Sequence, residues 1–306
     1  ATLAVYQIPA GALDEIAIGT EFLRIERCLA LRARRRSASG DVDGAIADLD
    51  LALELARRVR TARGTDLVTG AIGLAAAVPA LDAMPEIVSR AKLDAPATLA
   101  TTRRWSRARS THETWRAVWQ GEYETMARTT DEIAAGAAAA AGDVISEFAE
   151  DLPTNTYYFQ PNATKALYAD YYRALQAGTG VPCNRLDLPE VEMPRQPLMF
   201  LGIFAGANAV GKILFSVAAI DVRRYERRRC DHDTKLAVGC ALLALHAHHR
   251  NHGTWPDSLD ALVPEFLDAV PLDGSNGRPL YYDPERVALA TIQAVDGETR
   301  RWNLAN

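Results

Sequence analysis

The stretch His246–Asp283, "HAHHRNHGTWPDSLDALVPEFLDAVPLDGSNGRPLYYD", decides the fold reading, because it changes from helix to sheet within a few dozen residues. Upstream, the apolar and alanine-rich spacing is that of a long helix. Gly253 is placed to end that helix in a left-handed conformation, and Pro256 fixes the exit. Trp255, Leu259 and Leu262 are spaced to pack back on the helix. Asp257 to Leu262 reads as a short helix. Pro271, the "DGSNG" turn and Pro279 then aim a first strand at residues 279–282. Two more strands follow at 287–294 and 299–303, joined by Asp296-Gly297, a strong hairpin signal.

Working upstream, a long helical stretch is expected over residues 198–251, with a candidate break at Arg229–Asp233. Its first part, Leu198 to Ile220, is the only candidate membrane span, but it carries Asn208, Lys212 and several glycines. A lysine near a bilayer centre is costly, so a buried helix or helix pair is the better reading. Residues 178–197 hold Pro182, Pro189, Pro194 and Pro197 without periodicity, which marks an extended connector. That connector divides the chain into a helical region, 1–196, and a long helix with a small β module, 197–306.

Within the helical region, apolar spacing predicts helices over 12–36 and 45–63. The short "SASGDVDG" link makes them an αα-hairpin resembling one tetratricopeptide-type repeat, with no second copy at a fixed period. Residues 66–88 are apolar and rich in Gly and Ala, broken by Pro79 and Pro85. Residues 97–126 read as one helix, the tract 131–152 as helix interrupted at Gly136–Gly142, and "QPNATKALYADYYRAL" as a helix capped by Asn162 or Thr164. The fold class is therefore mainly α: an irregular multi-helix region, then a long helix and a small C-terminal antiparallel sheet.

The 306 residues include 34 basic and 39 acidic side chains, giving a net charge of −5. With an isoelectric point near 5.8, the chain does not have the basic character of a dedicated nucleic-acid binder. At 48% hydrophobic and 24% charged it is an ordinary globular composition, not a collagen, coiled-coil or disordered one. Only Lys92, Lys165, Lys212 and Lys235 are lysines; the other cations are arginines, which suits helices and carries no functional weight. Cys28, Cys183, Cys230 and Cys240 include no CxxC pair, so a zinc ribbon or thioredoxin motif is excluded, while one disulfide is compatible with export. The sequence opens on Ala1 rather than Met, and the expectation is an exported or membrane-anchored full-length form, with membrane contact only through a segment outside this chain.

The 246–283 pattern resembles the segment that follows the long helix of type II secretion major pseudopilins. The matching positions are Gly253, Trp255, Pro256, Leu259, Leu262, Val263, Pro264, Leu267, Pro271, Asp273, Gly277, Pro279 and Tyr282. The likeness covers about Leu236 to Asp296. The whole chain is also similar to a group of uncharacterised bacterial helical proteins that place a helical region before such an end. "GDVDGAIADLDLALELAR" and "QPNATKALYADYYRAL" carry that wider likeness. Departures limit what the pseudopilin resemblance implies. Nothing before Leu13 resembles the apolar, peptidase-cleaved assembly helix, Gly274 replaces a proline, and the calcium loop is reduced to Asp296, Gly297 and Glu298. Filament assembly and calcium binding are not expected; the module is read as a reused fold.

No complete catalytic signature appears. "GANAVGK", Gly206–Lys212, has Walker A spacing, but Ile213 stands where a magnesium-binding Ser or Thr is needed. His246, His248, His249 and His252 cluster at the end of the long helix. His248 and His252, at i and i+4, are the candidate metal ligands, against a solvated helix end as the plainer reading. Trp115, Trp119 and Tyr123 share a helix face and are candidates to line a ligand pocket, or simply core. His112 with Glu113, Cys183, and the basic run "RRYERRRC" at 223–230, read as a solvated face, are weaker. No cofactor is expected. The functional expectation is a non-catalytic, cell-envelope scaffold that binds a protein partner in a groove between the helical region and the C-terminal module. A metal-dependent hydrolase and a small-ligand binder are the alternatives.

Overall fold

A computed structural model describes residues 12–62, 64–136, 157–178, 182, 185, 206–218, 222–291 and 301–304. As the hydrophobic spacing predicts, the described chain is mainly helical, with eight α-helices and one small antiparallel sheet near the C-terminus.

Helices α1 (Ala12–Ala38) and α2 (Val42–Arg60) form the expected hairpin. Asp41 caps α2 by accepting from the Gly44 amide, a contact typically worth about 1 kcal/mol. Across the hairpin, Asp48 takes both the Nε (2.9 Å) and an Nη (2.7 Å) of Arg32, and a further bond from Arg36 (3.1 Å). Helix α3 (Leu67–Arg90) packs on both. Pro79 and Pro85 were expected to break this segment, yet both lie inside one helix. Each proline removes one intrahelical hydrogen bond. Here Ala76, Ala77, Ala80, Leu81, Met84 and Ile87, all at most 2% exposed, bury the helix on its neighbours, and packing outweighs the missing bonds.

The expected single helix over 97–126 is two: α4 (Ala95–Ser106) and α5 (His112–Ala134). The break is held from outside. Arg60 on α2 donates to the Ala108 carbonyl (2.5 Å), Asp233 accepts from the Ser110 amide (3.0 Å), and Thr111 caps α5. Helix α6 (Pro161–Gly178) packs on α5, and α7 (Ala209–Ala218) on α6. Neither Asn162 nor Thr164 caps α6. Instead Asn208, just before α7, accepts from the Gln160 amide (2.9 Å) and the Thr164 hydroxyl (3.0 Å). Helix α7 thus starts inside the "GANAVGK" stretch, whose Asn208 is already committed to α6.

Helix α8 (Val222–His252) runs unbroken through Arg229–Asp233 and packs on α3 and α4. Gly253 ends it at φ 74°, donating to the His249 carbonyl. The expected short helix is a 3-10 turn at Leu259–Leu262. Strands β1 (Tyr281–Asp283), β2 (Ala288–Ala290) and β3 (Arg301–Asn303) pair in the order β1-β2-β3, with Leu289 opposite Tyr282 and Trp302. The Asp296–Glu298 turn lies outside the described residues, as do the connector prolines other than Pro182.

Two large hydrophobic clusters share α8. The first joins Leu49, Leu53, Met84, Ile87 and Trp105 to Leu236–Ala247, Phe266 and Leu289, and so draws on both sides of the expected boundary near 196. The second gathers Trp115, Trp119, Tyr168, Tyr171 and Tyr172 around Tyr225.

Candidate functional site

The N-terminal half of α8 repeats its buried face at Val222, Tyr225, Glu226, Arg229, His232, Asp233 and Leu236, every one under 9% exposed. These are the i, i+3, i+4, i+7 positions of one helical stripe, so charged residues stand where apolar ones usually do. The basic run was read as a solvated face. Arg224, Arg227 and Arg228 are indeed exposed, but Arg229 and Glu226 are buried and pair at 2.7 Å.

Around this stripe the helices converge. The Asp233 carboxylate accepts from the Ser110 amide (3.0 Å) and meets His232 Nδ1 (3.0 Å), with Arg229 Nη1 at 3.8 Å. Arg60, at the end of α2, reaches in to Ala108 and to the Ser110 hydroxyl (3.1 Å). Tyr225 lies over Gly70 on α3, where an added Cβ would collide with the phenol oxygen. Trp115 packs edge-on against Tyr225 (4.9 Å) with the Arg229 guanidinium 5.8 Å from its ring centre, a cation–π contact.

Burial governs the protonation of this cluster. It lowers His232, helped by the positive Arg60, so the imidazole is neutral at neutral pH. It lowers Arg60 as well, and raises Glu226 and Tyr225, Glu226 being partly held back by Arg229. For Asp233 burial pulls upward, but the hydrogen bond from His232, the Arg229 charge and the Ser110 amide outweigh it and hold the carboxyl below its ordinary range. A carboxylate orienting an imidazole is an arrangement used for general-base chemistry when Nε2 faces a substrate. At 2% exposure His232 faces the interior, and the contacts just described make the cluster a lock between α2, α3, α5 and α8.

The C-terminal turn docks on the same helix. Asp273, fully buried, accepts from the Thr234 hydroxyl (3.0 Å), the Ser275 amide (2.8 Å) and hydroxyl (2.5 Å), and Asn276 Nδ2 (3.2 Å). Next to it, Cys230 is disulfide-bonded, while Cys28 and Cys240 are free thiols. Burial raises the Cys240 thiol to about 12. Cys183 lies outside the described residues.

At its far end α8 carries the four histidines. His248 and His252 sit together, ring centres 4.4 Å apart. The backbone carbonyl of Thr254 can only accept, so His248 Nδ1 is the donor at 3.1 Å and Nε2 is its free nitrogen. His252 Nε2 is 3.5 Å from Glu265, a carboxylate that the sequence reading did not bring to the cluster. No group of three or more His, Cys, Asp or Glu among the described residues has the arrangement of a metal site. The rings serve as packing: His249 stacks flat on Trp255 at 4.3 Å, His246 meets Trp255 edge-on at 5.4 Å, and His248 and His252 meet Phe266 at 5.7 and 6.1 Å. Burial draws His246 down to about 4, with Arg250 and His249 adding to the shift, and also lowers His248.

The aromatic stripe of α5 lies inside the second cluster. Trp115 and Trp119 are each 1% exposed and pack on Tyr225, with Trp119 stacked on Tyr172 at 6.2 Å; Tyr123 is half-buried against the same cluster. Nothing in the sequence singles out Arg60, and His232 and Asp233 read there only as residues too far back on the helix to join the histidine cluster. Asp233, His232 and Arg229 continue the Leu236 stripe three, four and seven residues upstream, through a run that composition alone marks as surface.

No protein-family model, curated protein or solved structure matches the chain.

Proposed function

We propose that the protein is a non-catalytic, envelope-associated interaction scaffold, exported or membrane-anchored in its full-length form. The observation that carries this reading is the disulfide at Cys230, since such bonds persist in oxidising compartments and are rare in the cytosol. The use of the polar residues adds to it. Asp233, Arg60, Asp273 and Thr234 bridge elements of the fold, and the turn-and-sheet end that resembles the pseudopilin module is anchored to α8 by the same kind of contact. Such a body presents rigid surfaces to a protein partner.

Fractionation of the native host, with thiols alkylated before lysis and again after denaturation, tests the reading. The expected result is recovery with the envelope, in a crosslinkable complex, with two of the four cysteines alkylated before reduction. Recovery from the cytoplasm with all four alkylated overturns it.

A second reading, a metal-dependent hydrolase, draws on the 4.4 Å approach of His248 and His252 beside Glu265. Its test is metal content by mass spectrometry on untagged protein, with melting curves with and without chelator. A stoichiometric metal whose removal lowers the melting point would support it, and no metal with no chelator effect would remove it. Small-ligand binding at Trp115, Trp119 and Tyr123 would require the packed second cluster to open.

A further inference from the structure

We infer that the cleft between α2 and α4 is a docking site for an acidic peptide segment of a partner protein, bearing an aromatic or branched apolar anchor. This rests on the interaction-scaffold reading and names the surface and the partner chemistry.

The cleft has a volume of about 400 Å³, within the range of ligand pockets and enough for one large side chain. Leu53, Trp105 and Ala108, each at most 2% exposed, line it from the core side, and Leu51 stands at its edge 39% exposed. The Trp105 indole N–H is taken by Asp50 at 2.6 Å, so the ring asks no polar group of an occupant.

Charge selects the anchor's neighbours. Arg57, Arg104 and Arg107 line the cleft, facing only Asp50 and Glu54. Both carboxylates are already engaged. Asp50 accepts from Arg104 (2.9 Å) as well as from Trp105. Glu54 accepts from Arg57 (2.8 Å) and Arg58 (2.7 Å), and the Arg57 bond above all draws its carboxyl down to about 2. Arg107, exposed, makes no ion pair among the described residues. The lining therefore carries a surplus positive charge beside the exposed Leu51 side chain, which complements an anionic segment flanking an apolar group.

The site is also held in shape. Arg107 and Ala108 begin the α4–α5 break, and Arg60 and Asp233 fix that break from beneath through Ala108 and Ser110. The buried lock of α8 thereby sets the backbone position of the cleft's cationic rim, and a preformed backbone lowers the ordering cost of binding.

Titration calorimetry on the purified chain with the peptide acetyl-Asp-Glu-Phe-Asp-Glu-amide tests this. Binding of one peptide per chain is expected, weakened about fivefold or more by Arg107→Glu and by Leu51→Glu, and weakened by salt. Both positions are exposed, so both variants are expected to melt as the wild type does. The same peptide with Ala for Phe, and a Lys/Arg version, are expected not to bind. Absence of binding to the wild type overturns the inference, as does equal binding by both variants or by the basic peptide. Binding to phosphatidylglycerol vesicles without peptide binding would assign the rim to lipid and overturn it too. A negative result here with the envelope complex intact refutes the cleft alone; loss of envelope recovery refutes the scaffold reading itself.

Discussion

The two halves of α8 are both rich in ionisable side chains, and they use them in opposite ways. From Val222 to Thr234 the helix buries Glu226, Arg229, His232 and Asp233 among other helices, where Glu226 pairs with Arg229, His232 with Asp233, and Asp233 reaches the Ser110 amide. From His246 to His252 it displays imidazoles at a half-exposed end, where they pack on Trp255 and Phe266. The difference lies in what surrounds the helix. The first half meets α2, α3 and α5; the second meets the segment that folds back after Gly253 and, through Arg250, the Leu93 carbonyl just after α3. Polar groups enclosed on all sides must find partners or cost several kcal/mol, whereas those at an edge keep their water.

That contrast yields graded expectations. The largest effect is expected for Asp233→Ala, which strips the partner from His232 Nδ1 and from the Ser110 amide and removes a second carboxylate 3.8 Å from Arg229. Breaking a buried ionic group of this kind costs about 3–5 kcal/mol, read from denaturant midpoints. A loss below about 1 kcal/mol would mean that the enclosed half is no lock. Next, Asp273→Ala leaves the Thr234 hydroxyl and the Ser275 amide without their acceptor and is expected to cost about 2–3 kcal/mol. The near-ultraviolet spectrum should change around Trp302 and Tyr282 while helix content holds; an unchanged spectrum and midpoint would detach the turn from α8.

The exposed half responds to pH instead. His246 has a folded value of about 4, below its ordinary 6.5, so its contribution is present above pH 6.5 and is lost as the pH falls towards 4. Stability should decline across that window by on the order of 1 kcal/mol, allowing for the residue's partial exposure. His246→Phe should flatten the decline, and an unaltered acid limb would assign it elsewhere. Smallest of all, His248→Ala and His252→Ala are each expected to shift stability by no more than about 0.5 kcal/mol in metal-free buffer. A larger loss, reversed by added zinc, would turn the comparison towards the metal reading.

Much of the architecture was legible in the sequence because its signals are local. Gly253 and Pro256 end a helix by their own backbone preferences, Asp41 caps α2 with its own side chain, and the turn at Asp273–Gly277 is written in residues that bond each other. The aromatic stripe Trp115, Trp119 and Tyr123 was visible too, with core as one of its two readings. Where sequence reading failed, the deciding partner was distant. Pro79 and Pro85 look like breaks until α1, α2 and α8 are packed around α3. The 107–111 interruption has no strong local breaker, and exists because Arg60 and Asp233 hold its backbone groups. Glu265 comes to His252 only through the fold-back after Gly253.

By itself, then, the sequence determined the helical class, the hairpin at the start, the helix end at Gly253 and the small terminal sheet, since period, caps and turns act over a few residues. Only the tertiary structure decided which charged residues of α8 are enclosed, where α4 gives way to α5, and that a cationic cleft opens above that break. Composition states how polar a segment is, but burial depends on what else occupies the space around each helical face, and those neighbours lie up to 173 residues away, as from Arg60 to Asp233.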